Sequence, residues 1–175
     1  MLANRYIFMV EQLAGWPNRI ISGGQVGVDR AALDWAMEHD VPHGGWCPQG
    51  RRAIDGELPA RYQLQEADSP SYAKRTRLNV RDSDATLIIN QGTLDGGTRL
   101  TLKCAEQLGK PHLCVQVDDD HHSLELIADG IRQWLRQGQF QTLNVAGPRE
   151  TKRQGIYAIT RQLLDRVLIG FGNMG

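Results

Sequence analysis

Apolar positions along the chain repeat a rhythm of short strand, glycine turn and amphipathic helix. Arg19–Ala36 sets it: Ile20 and Ile21 read as a strand, Gly23, Gly24 and Gly27 as a tight turn, and Val28, Ala31, Ala32, Trp35 and Ala36 recur at helical spacing. This helix is expected to stop near His39, because Val41 and Pro42 open a second, short extended stretch that ends in Gly44–Gly45. Trp46–Ser71 has no clean period, and Pro48, Gly50, Gly56 and Pro59 mark it as a long loop. Tyr72–Arg81 reads as helix, and Ala85–Asn90 is the continuous apolar run of a strand buried on both faces. A second glycine turn, Gly92–Thr98, leads into a helix expected to turn Leu102, Ala105 and Leu108 inward and to end at Gly109 and Pro111. Leu113–Val117 follows as a strand, and Ser123–Gln137 as a helix with Leu124, Ile127, Ala128, Ile131 and Leu135 on one face. Leu143–Ala146 makes a fifth strand, Gly147–Glu150 a third loop, and Ile156, Ile159, Leu163 and Val167 a last helix.

Strands alternating with helices predict an α/β fold: a single-domain, Rossmann-like, doubly wound parallel sheet of about five strands with flanking helices. Residues 1–18 read as an N-terminal extension and 19–175 as a ligand-binding domain. With a strand order of 2-1-3-4-5, a ligand would sit between Ser22–Gly27 and Asn90–Thr98, where strand order reverses. In that order the Gly147–Glu150 loop follows the edge strand, ~10 Å from the third strand.

Composition narrows the partners. Lys+Arg and Asp+Glu both number 20, so no overall field draws nucleic acid or an anionic membrane. The three cysteines, Cys47, Cys104 and Cys114, lack CxxC spacing, which suits a reducing cytoplasm. Tyr6–Val10, the one early apolar run, is too short for a signal-peptide core or a membrane span.

A strand-to-helix glycine turn leaves the first helical amides unpaired at the positive end of the helix dipole, a setting that favours an anion, with phosphate first. Gly23, Gly24, Gln25 and Gly27 form one such candidate cradle, with Asp29 and Arg30 behind it, and Gly96, Gly97 and Thr98 form another. Arg51, Arg52, Arg77 and Arg149 are candidate phosphate clamps, and Trp46 a candidate stacking surface. Asp29, Asp95 and Glu150 are the candidates for a catalytic base. NAD is not expected, because Ser22 stands at the first glycine of the dinucleotide fingerprint and the second strand ends in His43–Cys47 rather than an acidic residue. A 2′-phosphate on Arg51 and Arg52 stays open, and the phosphate-binding lysine of a P-loop is missing. His43 and Cys47 are too few for a zinc site, and Asp118–Asp120 with His121 and His122 read as a solvated turn, so no metal is expected.

Taken together, Ser22–Asp34, His43–Arg52, Arg75–Ile88, Gly96–Thr98 and Leu143–Glu150 resemble the putative molybdenum carrier family from about Arg19 to Val167. The resemblance implies a Rossmann-like fold related to the Lonely-guy-type nucleotide-binding superfamily. It also implies an oligomer that binds, and delivers to molybdoenzymes, the molybdenum cofactor (molybdopterin), a phosphorylated pterin. Two departures bear on chemistry: Val26 replaces a threonine of the usual family turn, and Thr101 stands where the hydrolases of the superfamily carry a carboxylate. The reading is therefore a cytoplasmic homo-oligomer that binds a phosphorylated small molecule. The alternative is a nucleotide N-glycosidase or phosphohydrolase, and a third reading is a sensor whose ligand changes assembly.

Overall fold

A computed structural model describes residues 16–117 and 121–169. The chain runs through β1 (Arg19–Ile21), α1 (Val28–Glu38), β2 (His43–Gly44) and four two-residue strands, β3 (Trp46–Cys47), β4 (Arg52–Ala53), β5 (Gly56–Glu57) and β6 (Gln65–Glu66). It continues as α2 (Tyr72–Asp82), β7 (Ala85–Asn90), α3 (Gly96–Gln107), β8 (His112–Gln116), α4 (His121–Gly138), β9 (Thr142–Ala146) and α5 (Ile156–Ile169). Five parallel strands form the main sheet in the order β2-β1-β9-β7-β8. Helices α1, α5 and α4 pack together, and α2 packs on α3, so the sheet is covered as a doubly wound fold requires.

That order corrects the expected 2-1-3-4-5. The last strand, β9, is inserted between β1 and β7, with Leu143↔Ile20 and Leu143↔Ala85 in register on its two sides. Burial explains the placement. Leu143, Asn144, Val145 and Ala146 are all buried, as an inner strand must be, whereas Leu113, Cys114 and Val115 of β8 are half-buried, as an edge allows. Starting the count at β9 turns the observed order into 3-2-1-4-5, the first five strands of the 3-2-1-4-5-6 order of dinucleotide-binding folds. The reversal point then lies between β9 and β7, not between β1 and β7, which brings the Gly147 loop to the centre.

The apolar face predicted for α1 is buried in full: Val28, Ala32, Trp35 and Ala36 join Ile20, Leu87, Ile89, Leu143, Val145 and the inner faces of α4 and α5 in the main core, and Ala31 is buried as well. Trp16 belongs to that core too, and Asn18 N–H donates to Gln141 C=O, so the described end of the N-terminal segment packs on the domain. Residues 1–15, including the apolar run 6–10, lie outside the described residues, as do Asp118–Asp120 and the side chains of His121 and His122. In α3 the expected inward face is shifted. Thr98, Thr101, Cys104 and Ala105 are buried, while Leu108 is 40% exposed. Thr101 tolerates burial because its hydroxyl donates to Gly97 C=O, one turn back.

The Trp46–Ser71 stretch, read as an irregular loop, carries small pieces of sheet: β3 pairs parallel with β6, and β4 antiparallel with β5. It has its own apolar cluster of Leu33, Cys47, Leu58, Tyr62 and Leu64. Its main staple is Arg51, whose guanidinium donates to the carbonyls of Leu58, Pro59, Tyr62 and Leu64 at 2.8–3.1 Å. Tyr62 hydroxyl donates to Asp34 at 2.7 Å, tying the excursion to α1.

Candidate functional site

Three loops leave the carboxyl ends of β1, β9 and β7 side by side, and with the start of α2 they enclose a cleft of about 420 Å³. The β1 loop and the β9 loop are in direct contact. Val28 N–H donates to Pro148 C=O at 3.3 Å and Glu150 N–H to Val26 C=O at 3.2 Å. Gly27 has φ +102, and a Cβ there would stand 2.5 Å from Pro148 O and 2.6 Å from Glu150 N. The opening glycine turn is therefore built for close approach of backbone to backbone. Its helix spends amides internally as well, since Arg30 N–H donates to Gln25 C=O and Ala31 N–H to Gly27 C=O.

The turn before α3 is arranged differently. Gly96, Gly97 and Thr98 line the cleft, and as the first turn of a helix their amides have no intrahelical acceptor. Asp95, at the capping position, makes no side-chain cap. Its carboxylate instead accepts a hydrogen bond from Lys152 Nζ at 2.6 Å, which holds the Asp95 carboxyl below the usual carboxylate range. Both side chains are more than 40% exposed, so solvent screens the pair and it is weak.

On the α2 side, Arg75 Nη1 donates to Asp29 at 2.9 Å in a pair that is almost wholly buried on the Asp29 side. A Cβ on Gly23 would fall 1.5 Å from that nitrogen, so glycine is what lets the pair form. Arg75 Nε has no partner. Gln25, 3% exposed, accepts from Ile54 N–H through its carbonyl and leaves its amide nitrogen without one. Arg149 lies over the Tyr72 ring at 5.0 Å, and both line the cleft.

Of the residues singled out from sequence, Gln25, Asp29, Asp95, Gly96, Gly97, Thr98 and Arg149 line the cleft. Gly23, Gly24 and Gly27 shape the turn behind it, with Gly24 (φ +76) pressed against Leu58 and Leu64. The others face elsewhere for definite reasons. Arg30 pairs with Asp55 at 3.1 Å and also bonds Gly24 C=O, and Arg51 is consumed by four carbonyls. Arg52 and Arg77 are exposed and away from the cleft. Trp46 donates its indole N–H to Asp82 at 2.7 Å, and Glu150 accepts from the amides of Gly155 and Tyr157 at 2.6 and 2.9 Å, at the start of α5. His43 bonds Gln63 N–H, Cys47 is buried beside Gln65 C=O, and no group of three metal-ligating side chains occurs among the described residues.

The sequence reading passed over Tyr72, Arg75, Thr76, Thr151 and Lys152, all of which line the cleft. Lys152 had a visible signal, the basic Lys152–Arg153 pair between a Gly-Pro loop and a helix.

A family model, the circularly permutated YpsA SLOG family, matches residues 20–168. The chain belongs to this family. Permutation is what the sheet displays, with the last described strand beside the first one and the 3-2-1-4-5 order recovered when counting starts at β9. The crystal structure of a putative molybdenum carrier protein from Syntrophus aciditrophicus SB, at 1.45 Å resolution, shares 50% identity with the chain and aligns with a TM-score of 0.81. The match covers 87% of this chain and 95% of that one. Among curated proteins no match is found. No described helix is long and apolar enough to cross a membrane.

Proposed function

We propose that the cleft binds a phosphate-bearing small molecule with a flat ring, either the molybdenum cofactor or a related pterin or nucleotide. One observation carries this reading: the uncapped amides of Gly96–Thr98 open onto the same cleft as Arg149 and Lys152, at the reversal point of the sheet. The volume of about 420 Å³ suits a ligand of that size. Two buried donors without partners, on Gln25 and Arg75, give the cleft wall unmet hydrogen-bonding capacity of the kind a polar heterocycle satisfies. The name of the Syntrophus aciditrophicus relative is the support for a molybdenum-bearing ligand, and with it for a carriage role.

The hydrolytic alternative has less support, because each candidate base is engaged: Asp29 by Arg75, Asp95 by Lys152 and Glu150 by backbone amides. Isothermal titration with molybdopterin and with a panel of nucleoside monophosphates tests the reading, with product analysis of the same mixtures. Saturable heat from at least one ligand, without turnover, is expected. Silence from every ligand on folded protein defeats the binding reading, and turnover lost in Asp95→Ala while binding is kept would restore the hydrolase. Sizing the protein with and without the bound ligand tests the proposed homo-oligomer.

A further inference from the structure

The three cations of the cleft are held in different ways, Arg75 by its pair with Asp29. Arg149 rests on Tyr72, while Lys152 is tied up by Asp95. The backbone that carries Lys152 is pinned on both sides: Glu150 N–H bonds Val26 C=O, and Arg153 donates to the carbonyls of Gln91 and Thr93. At Lys152 it is therefore the side chain, not the backbone, that can change partner. Its Nζ stands 3.1 Å from where a Cβ on Gly96 would be, directly over the first residue of α3. Asp95 is the residue that should cap that helix, yet its carboxylate is drawn away to the lysine and the amides stay open. Independently, Gln25 lines the same cleft at 3% exposure with an amide nitrogen that has no partner, so the cleft is a built polar site and not only a helix end.

We infer that Asp95 is an internal counter-anion that occupies Lys152 in the free protein and is displaced when the phosphate group of a ligand reaches the Gly96–Thr98 amides. This rests on the ligand-binding reading above and adds its regulation. An exposed pair of this kind is weak, so a phosphate that also gains the helix amides wins the lysine. When the ligand leaves, Asp95 takes the lysine back. The exchange lowers affinity for the phosphate group and speeds its release, a property suited to a protein that holds a ligand and gives it up.

The experiment titrates wild type, Asp95→Ala and Lys152→Met with inorganic phosphate and with a nucleoside monophosphate, and determines one crystal structure with phosphate bound. Alanine is chosen at Asp95 because asparagine is itself a strong helix cap and would turn in over the amides. Asp95→Ala should tighten binding about two- to fivefold, the strength of an exposed ion pair. Lys152→Met should weaken it by about tenfold or more, as expected for losing a charge-assisted bond to phosphate. In the crystal, Lys152 Nζ should lie on a phosphate oxygen. Lys152 still on Asp95 with phosphate bound, or an affinity that ignores Asp95→Ala, overturns the exchange while leaving the cleft a binding site. If wild type binds no probe at all, the reading of the cleft falls and the exchange with it. Unchanged melting temperatures of the two exposed-site variants confirm that neither result reflects misfolding.

Discussion

Arg51 shows at the scale of one residue how charge and sequence pattern mislead about function. An arginine next to a second arginine in a glycine-flanked loop has the look of a phosphate clamp, but its five N–H donors meet four carbonyls of its own loop. Arg51→Ala removes those bonds and leaves several acceptors half-buried, so stability should drop by about 2–3 kcal/mol. For a chain of this length that is a melting temperature lower by roughly 5–10 °C, read by calorimetry. The variant should bind phosphate as wild type does; weakened binding without loss of stability would return Arg51 to the site. Gly27 makes the complementary point. Its value as a turn residue was visible in the sequence, but its reason, a Cβ position 2.5 Å from Pro148 O in another loop, was not. Gly27→Ala combines a strained φ of +102 with that clash, and should cost about 3 kcal/mol or more in chemical denaturation.

At the scale of elements, local pattern carried far. Ala85–Asn90 is a strand with all six residues buried, and α1 and α5 bury the positions that helical spacing marked. What it missed were contacts between elements. The four short strands of the Trp46–Ser71 excursion have two residues each, too few for alternation to register, and they exist because Arg51 and the Leu58–Tyr62–Leu64 cluster hold them. Glu150 is a further case: its loop position beside glycine and proline suggested chemistry, yet its carboxylate caps α5 from outside the helix. A carboxylate bonded to amides at the helix N-terminus also interacts favourably with the helix dipole. Glu150→Ala should therefore lower stability by about 1–2 kcal/mol, with amide exchange accelerated first at Gly155–Tyr157. Exchange unchanged there would show that the cap carries no weight.

On the scale of the whole molecule, the surface carboxylates set the acid limb of stability. Asp55, Asp82 and Asp95 are each held below the ordinary carboxylate value, first by hydrogen bonds from Arg30, Arg81 and Lys152 respectively. A carboxyl whose folded pKa is depressed stabilises the fold above its unfolded value and loses that contribution as pH falls through the folded one. Urea midpoints should accordingly hold steady down to about pH 4 and decline below it, and high salt should flatten the decline because these pairs are exposed. A steep loss nearer neutral pH would point to a buried group instead.

Strand order was the largest thing hidden from the sequence. Leu113–Val117 and Leu143–Ala146 are similar apolar runs, and nothing in either says which lies at the edge; the usual rule that consecutive strands lie side by side favoured the wrong one. In the sheet, β9 and β1 are parallel neighbours, and α5 packs on α1 beside them, so β9, α5 and β1 have the geometry of one strand–helix–strand unit. The chain should then tolerate being rewired. A permutant that begins at Gln139, an exposed residue between α4 and β9, and joins residue 175 directly to residue 1 keeps every strand pair among the described residues while making the strand order 3-2-1-4-5 in the sequence. It should fold cooperatively, with a circular dichroism spectrum matching the parent and the same affinity for phosphate. Recovery only as aggregate, or a folded permutant whose cleft no longer binds, would mean that the present location of the ends is itself needed to form the site.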